Sequence, residues 1–365
     1  MKVECIVEKL KEAIPQVDRI TGKNLTLPVL NSILIIGSGK TLKLRATNLD
    51  LGVEIEIPSK IEREGVVLVN GSLLNSIIST ITTKNLTLET IQNNLHITTT
   101  YNNIIIKTYP QDDFPTIPII SGNEFIFETK KIIQAIKTIF YSASFSEIKP
   151  EISSVYIYEN NNNELIFVAT DSFRLAEKRI KIKKPKDFPE IIIPIKNITE
   201  IIKIFDGIDG DINISINKNQ ISFSHQNIYL TSRLINGVFP DYKQIIPKEH
   251  KTKVVVLRQD LITTLKTAAI FSGKFNELGI IIKPKQKIFE VHTKNQEFGE
   301  NRTKIEGALM GEDLEVNFNY KYIFDCLQSI TDDSVSLLFN GIHKPLIIQG
   351  VSDSSFLYLV MPMNK

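Results

Sequence analysis

Several short runs in this 365-residue chain combine residue types that do chemistry elsewhere, and each fails on spacing. IGSGKT, Ile36 to Thr41, has the glycine-lysine-threonine ending of a phosphate-cradling loop. Such a loop needs another glycine five positions before Gly39, and Leu34 stands there. The run reads instead as a hairpin turn joining the strands SILII and TLKLR. His96, His225, His250, His292 and His343 are scattered, with no pair at i, i+4 and no HExxH, so no metal site is expected. Asp171 beside Ser172, and Asp332 beside Asp333, lack a histidine or lysine base at a recognisable distance, and GxSxG is absent. Cys5 and Cys326 are too few for a zinc set and are expected as buried apolar thiols. The glycosylation pattern at Asn24, Asn85 and Asn197 is idle without secretion. No catalysis, cofactor or metal is expected.

What remains is a binding or structural role, and composition narrows it. A hydrophobic fraction of 42% and a charged fraction of 23% are those of an ordinary globular chain. At domains of roughly 100 to 150 residues each, the length suggests two or three. The opening MKVECIVEKLKEAIPQ is too charged for a secretory signal, and no run reaches the roughly 18 apolar residues of a membrane span. A cytoplasmic protein with no membrane partner is expected. A net charge of +2 gives no strong whole-molecule pull on nucleic acid, so any such affinity must be local. Heavy use of Ile, Asn and Lys fits an AT-rich genome and carries no function.

The chain repeats itself three times. VECIVEKLKEAI from Val3, FIFETKKIIQAI from Phe125 and VVVLRQDLITTL from Val254 each alternate and then place apolar residues four apart, at Leu10 and Ile14, Ile132 and Ile136, Leu261 and Leu265. That is a strand feeding an amphipathic helix. TLKLRATN, ELIFVATD and KIFEVHTK end alternating strands on Thr47, Thr170 and Thr293, each 123 residues after the last. A second strand-to-helix step recurs from Val66, Ile191 and Leu314, with Leu74, Ile198 and Ile323 as helical apolar positions. Phe114-Pro115 and Phe239-Pro240 close the first two units alike, whereas the third ends on SFLYLVMPM. The fold class is therefore α+β, three tandem domains at 1–120, 121–248 and 249–365, each with two helices packed on antiparallel sheet.

A period of 123 is a whole domain, beyond the roughly 20 to 50 residues of solenoid repeats, so an arc or ring of domains is expected. The first helices carry Lys9 and Lys11, then Lys130, Lys131 and Lys137, then Arg258 and Lys266, while later ones carry Lys196, Lys203 and Lys321. A ring with helices on its inner wall would have a thin positive lining. Such a lining attracts phosphates without sequence preference and is too sparse to stop sliding.

Three segments then resemble signatures of the bacterial DNA polymerase III beta sliding clamps. They are ATDSFRLA, Ala169 to Ala176, FPDYKQIIP, Phe239 to Pro247, and the terminal VMPMNK, Val360 to Lys365. They occur in the family's order, the length agrees, and the resemblance spans the chain. It implies three copies of the sliding-clamp fold, forming half of a six-domain ring completed by a head-to-tail homodimer around duplex DNA. It also implies a tether for the replicative polymerase catalytic subunit, loading by an ATP-dependent clamp loader, and competition from repair polymerases and other clients with clamp-binding motifs. Carried over by motif, the client-peptide groove comprises Ile152, Thr170, Ser172, Phe173, Arg174 and Leu175, then Pro240, Tyr242 and Ile245, then Met361, Pro362 and Met363. An apolar terminus must pack or be covered, and methionine repacks around different peptides. The DNA positions are Lys23, Asn24, Lys149, Lys196 and Lys203, and the dimer positions are Ile104 and Ile106 with Ile270 and Phe271. The chain departs from many relatives at Ser172-Phe173, where they carry Gly-His, at Asn24, where they often carry Arg, and at Asn364-Lys365, where they end in Arg-Leu. The rival reading is a monomeric three-domain scaffold that displays peptides without encircling DNA. A two-domain trimeric clamp is excluded by the three copies.

Overall fold

The computed structural model describes residues 1–22, 27–146, 148–182 and 187–363. By contacts the chain divides into two compact units, one from Met1–Ile133 with Lys196–Leu234, the other from Gln134–Ile195 with Ile235–Lys365. The middle repeat therefore supplies residues to both.

In the first unit an eight-stranded antiparallel sheet runs in the order Asn123–Glu128, Asp211–Ile216, Gln220–His225, Ile228–Arg233, Leu51–Pro58, Thr41–Thr47, Ser32–Ser38, Gly65–Asn70. A five-stranded sheet runs Lys60–Arg63, Lys2–Ile6, Asn85–Ile91, Asn94–Thr98, Asn103–Lys107. Alternation decides the faces: Leu42, Leu44 and Ala46 are buried, while Lys43 and Arg45 point outward. Lys43 Nζ meets Glu56 at 2.6 Å and Glu54 at 3.2 Å on the neighbouring strand, and Arg45 also pairs with Glu54. The run at Ile36 to Thr41 is the expected hairpin. Ser38 pairs with Thr41, and Gly39 takes a φ of +61°, which a two-residue turn requires and glycine adopts without strain.

The second unit holds a nine-stranded antiparallel sheet in the order Ile191–Pro194, Ser154–Asn160, Glu164–Thr170, Arg174–Lys181, Phe356–Val360, Leu346–Gly350, Ser334–Phe339, Thr252–Leu257, Gly307–Gly311. A four-stranded sheet runs Gly299–Lys304, Ile288–Asn295, Glu277–Lys283, Leu314–Asn319.

Six α-helices occur among the described residues: α1 Val7–Asp18, α2 Gly71–Thr80, α3 Thr129–Ile139, α4 Ile195–Phe205, α5 Arg258–Ile270 and α6 Tyr320–Leu327. Each repeat supplies two, at the places the strand-to-helix steps predict. The apolar pairs four apart are buried in all three first helices, as are Leu74, Ile198 and Ile323 in the second. Asn70 and Asn319 cap α2 and α6, their side chains accepting from the Leu73 and Lys321 amides at 2.9 and 3.0 Å. None of the helices is long and apolar enough to cross a membrane.

The recurring threonines have a structural reason in two repeats. Thr47 Oγ1 donates to the Leu51 carbonyl at 2.9 Å and accepts from the Leu49 amide at 3.1 Å. Thr170 Oγ1 does the same with the Arg174 carbonyl at 2.7 Å and the Ser172 amide at 3.2 Å. Leu49 and Ser172 share φ near +78° and +77°. In the third repeat Thr293 bonds instead to the Ala268 carbonyl at 3.1 Å, and the turn is taken over by Asn295.

Candidate functional site

Thr170, Phe173, Arg174, Leu175 and Met361 gather around one strand pairing in the second unit. Arg174–Lys181 lies antiparallel to Phe356–Val360, with Leu175 opposite Leu359. Beyond that pairing the terminal segment is held at both ends. The Met361 amide donates to the Phe173 carbonyl at 2.8 Å, and the Met363 amide donates to the Asn317 carbonyl at 2.8 Å. Pro362 lies between them with no amide to place. Two methionines at a chain end, where fraying is the rule, are thus fixed by main-chain bonds.

The turn that carries Ser172 and Phe173 is rigid. Asp171 Oδ1 accepts from the Phe173 and Arg174 amides, both at 2.9 Å. Ser172 sits at φ +77°, a left-handed conformation that strains a residue with a Cβ, which accounts for glycine at this place in the family the sequence resembles. Phe173 is 61% exposed. Arg174 is not exposed in the same way: its Nε reaches Asp171 at 2.9 Å, Nη1 reaches Asp325 on α6 at 2.7 Å, and Nη2 reaches the Tyr141 carbonyl at 2.7 Å. Its guanidinium also lies 4.6 Å from the Tyr322 ring centre. Burial works against the charge, but Tyr358, Asp325 and Asp171 outweigh it and hold the guanidinium protonated beyond its ordinary range.

A second wall comes from the segment FPDYKQII. Phe239 and Tyr242 are buried with Tyr158, Ile166, Val168 and Leu175 in one apolar cluster. Phe239 stacks on Tyr156 with ring centres 4.8 Å apart, and Tyr156 stacks on Tyr158 at 4.9 Å. The Tyr242 hydroxyl bonds to Tyr158 at 2.8 Å and donates to the carboxylate of Glu177, a residue only 3% exposed. Burial and the Glu177 charge push the Tyr242 phenol far above its ordinary range. Ile245, one turn on, is 50% exposed.

Of the twelve groove candidates, Thr170, Leu175 and Tyr242 are therefore buried supports. Ser172, Phe173, Pro240, Ile245 and Met361 are exposed, and Arg174, Ile152, Pro362 and Met363 are partly buried. Ile152 lies in the loop before Ser154–Asn160, its amide on the Lys149 carbonyl at 3.2 Å. Sequence reasoning missed Glu177, Asp325 and Tyr158. Glu177 alone carried a signal: a carboxylate two residues after Leu175, and so on the same face of the strand.

The arrangement presents the exposed apolar side chains of Phe173, Ile245 and Met361. Asp171 is committed to its turn, and Asp332 to the Ser352 amide at 2.6 Å. A cavity of about 700 Å³ in the first unit, bounded by Cys5, Pro58 and Ser59, contains none of the candidates. Burial pushes the Cys5 thiol up to about 11, which removes it as a nucleophile near neutrality. Among the described residues no His, Cys, Asp or Glu cluster could hold a metal ion.

The DNA candidates Lys23 and Asn24 lie outside the described residues. Lys149, Lys196 and Lys203 are exposed. Lys203 pairs with Glu200 at 2.6 Å, Lys9 with Glu12 at 2.9 Å, Lys130 with Asp209 at 2.5 Å and Lys131 with Glu128 at 2.6 Å. Arg258 is partly buried with Nη1 on the Leu327 carbonyl at 3.2 Å, so it does not extend a surface charge as its helical position suggested.

At the dimer candidates, Ile270 is 67% exposed and Phe271 partly buried. On Asn103–Lys107, Ile106 is 3% exposed and Ile104 shares its inward face, opposite Leu95 and Ile97, whereas Ile105 faces out at 58%. Ile106 is thus a core residue of its own unit, because strand alternation turns it inward.

Residues 1–118 match the family described as DNA polymerase III beta subunit, N-terminal domain, residues 127–241 its central domain, and residues 243–364 its C-terminal domain. The beta sliding clamp of Bacillus subtilis is 25% identical over 385 residues, with 100% of each chain covered. That of Staphylococcus epidermidis is 27% identical over 350 residues, with 93% of each covered. Among solved structures, the DNA polymerase III beta subunit of Thermotoga maritima superposes with a TM-score of 0.93 at 26% identity, over 100% of this chain and 99% of that one. A sliding clamp of Bartonella birtlesii bound to griselimycin gives 0.95 at 25% identity over 100% of both.

Proposed function

Because the chain belongs to the DNA polymerase III beta subunit family of sliding clamps, we propose that two copies of it close head to tail into a six-domain ring around duplex DNA. The ring has its domains at 1–120, 121–248 and 249–365 of each chain, and it tethers the replicative polymerase through the groove at Phe173, Ile245 and Met361. The observation that carries this reading is the match of three successive clamp segments along nearly the whole chain, joined to a TM-score of 0.93 over its full length.

Further features support it. All four sheets are open, and the terminal strands include Asn103–Lys107 in one unit and Gly299–Lys304 in the other. An unpaired edge invites another chain, and a head-to-tail dimer needs two unlike ends on one protomer. The exposed Ile270 on α5 and the outward-facing Ile105 on Asn103–Lys107 would supply apolar side chains to such a contact. The sparse and partly neutralised helix lysines suit sliding, since each unpaired lysine adds only one phosphate's worth of affinity.

Retention on DNA then depends on how often an interface opens. An ATP-driven loader would open it, and a tethered polymerase that dissociates rebinds before diffusing away, because the tether raises its local concentration. Repair polymerases and other clients would compete for the same groove. The test is retention after loading on nicked circular DNA and on the same DNA made linear. The ring stays on the circle and runs off the free ends; equal loss from both would leave the chain a peptide-displaying scaffold.

A further inference from the structure

We infer that Glu177 is a positioning residue for the client groove, setting the place of the Phe239–Ile245 wall through a buried hydroxyl-carboxylate chain; the inference rests on the groove reading above. Leu175, Glu177 and Arg179 share one face of the strand Arg174–Lys181, so the carboxylate lies next along that face from the buried Leu175. It is 3% exposed. A carboxylate taken out of water is retained only where donors replace the lost hydration. Here they do: Arg179 Nη2 lies 2.6 Å from Glu177 Oε1, and the Tyr242 hydroxyl donates to Oε2.

Tyr242 belongs to a different stretch of chain, 65 residues on, and its hydroxyl also meets that of Tyr158 at 2.8 Å. Lys243 Nζ lies over the Tyr158 ring, 5.0 Å from its centre. The short turn Tyr242–Ile245 has no side-chain cap of its own, so its place is set by Phe239 stacking and by this hydroxyl chain. Ring stacking tolerates sliding. A charge-assisted O–H to carboxylate bond does not, because it is short and directional. Glu177 therefore supplies the register of the turn that carries the exposed Ile245.

The full-length dimer is compared as wild type, E177Q, E177L and Y242F, with M361D as a groove control. Two quantities are read: binding to the immobilised replicative polymerase catalytic subunit of the same organism, and hydrogen exchange of the amides from Tyr242 to Ile246. E177L and Y242F are expected to lose polymerase affinity at least tenfold and to speed exchange in that segment at least tenfold, with exchange elsewhere unchanged. E177Q keeps an acceptor for Tyr242 and is expected within threefold of wild type on both readouts. Should E177L fail to fold, Y242F keeps every core atom but one oxygen and decides alone. Unchanged exchange at Tyr242 to Ile246 in the folded variants overturns the inference, even where M361D abolishes binding. Unchanged binding in M361D overturns the groove reading instead, and the exchange data still decide whether Glu177 holds the wall.

Discussion

Arg174 donates to Asp325 at 2.7 Å, which ties the turn beside the groove to α6, 151 residues later in the chain. The Arg174 side chain is 10% exposed and Asp325 39%. The same guanidinium serves Asp171, the Tyr141 carbonyl and the Tyr322 ring, a planar fork used on every edge. In the proposed groove, these contacts would hold the turn on which Phe173 stands.

Replacing Arg174 with Ala strands Asp171 and the Tyr141 carbonyl, and is expected to cost about 3 kcal/mol in urea denaturation. D325N leaves the Asp171 pair and an exposed amide, and should cost about 1 kcal/mol or less. Lysine at 174 restores a charge without the fork and should recover under half of the loss. Equal stability of R174A and wild type would show the contacts to be idle.

How far the sequence reaches is clear from these same residues. Periodicity located all six helices, since Leu10, Ile14, Ile132, Ile136, Leu261 and Leu265 are each dictated by a local pattern and a nearby core. The threonine marker was visible, but its cause was not: Thr47 and Thr170 close identical turns, and Thr293 does not. Long-range partners were invisible because no local rule links Glu177 to Tyr242 or Arg174 to Asp325. Strand parity was the remaining gap. A shift of one position exchanges Ile105 for Ile106, and a run of three isoleucines gives no alternation from which to choose the face.

The tail offers a clean separation of groove from fold. Val360 is fully buried and ends the strand, whereas the residues after it contribute main-chain bonds to Phe173 and Asn317. Deleting Met361 to Lys365 should therefore leave the melting transition within a few degrees of wild type and the dimer unchanged by ultracentrifugation. Affinity for the polymerase subunit should fall roughly thirtyfold or more, the scale of an interface hot spot. Wild-type affinity in the truncated chain would remove these residues from the groove.

At the opposite end of the proposed interface, Ile270 is the sharper probe than Ile106. I270D adds a charge where the side chain is 67% exposed, so the protomer should fold normally. With F271D in the same chain, sedimentation is expected to show monomers at micromolar concentration, since an unpaired charge buried between protomers opposes association by several kcal/mol. A dimer that persists in the double variant would place the contact elsewhere. Changing Ile106 would damage the core of its own unit and report nothing about pairing.

On α4, Lys196 and Lys203 are two helical turns apart and share an exposed face, with Glu200 between them holding Lys203 at 2.6 Å. That pair makes the face less positive than a lysine count suggests. K196E with K203E should lower retention on nicked circular DNA roughly tenfold at low salt, and the difference should shrink as salt rises and screens the contact. E200Q works in the other direction: it releases Lys203 to a phosphate and should raise retention by about twofold under the same conditions. The opposed signs separate an electrostatic role from a structural one, because misfolding lowers retention in both. If E200Q and the double lysine variant both load and hold as wild type does, these lysines do not face the duplex.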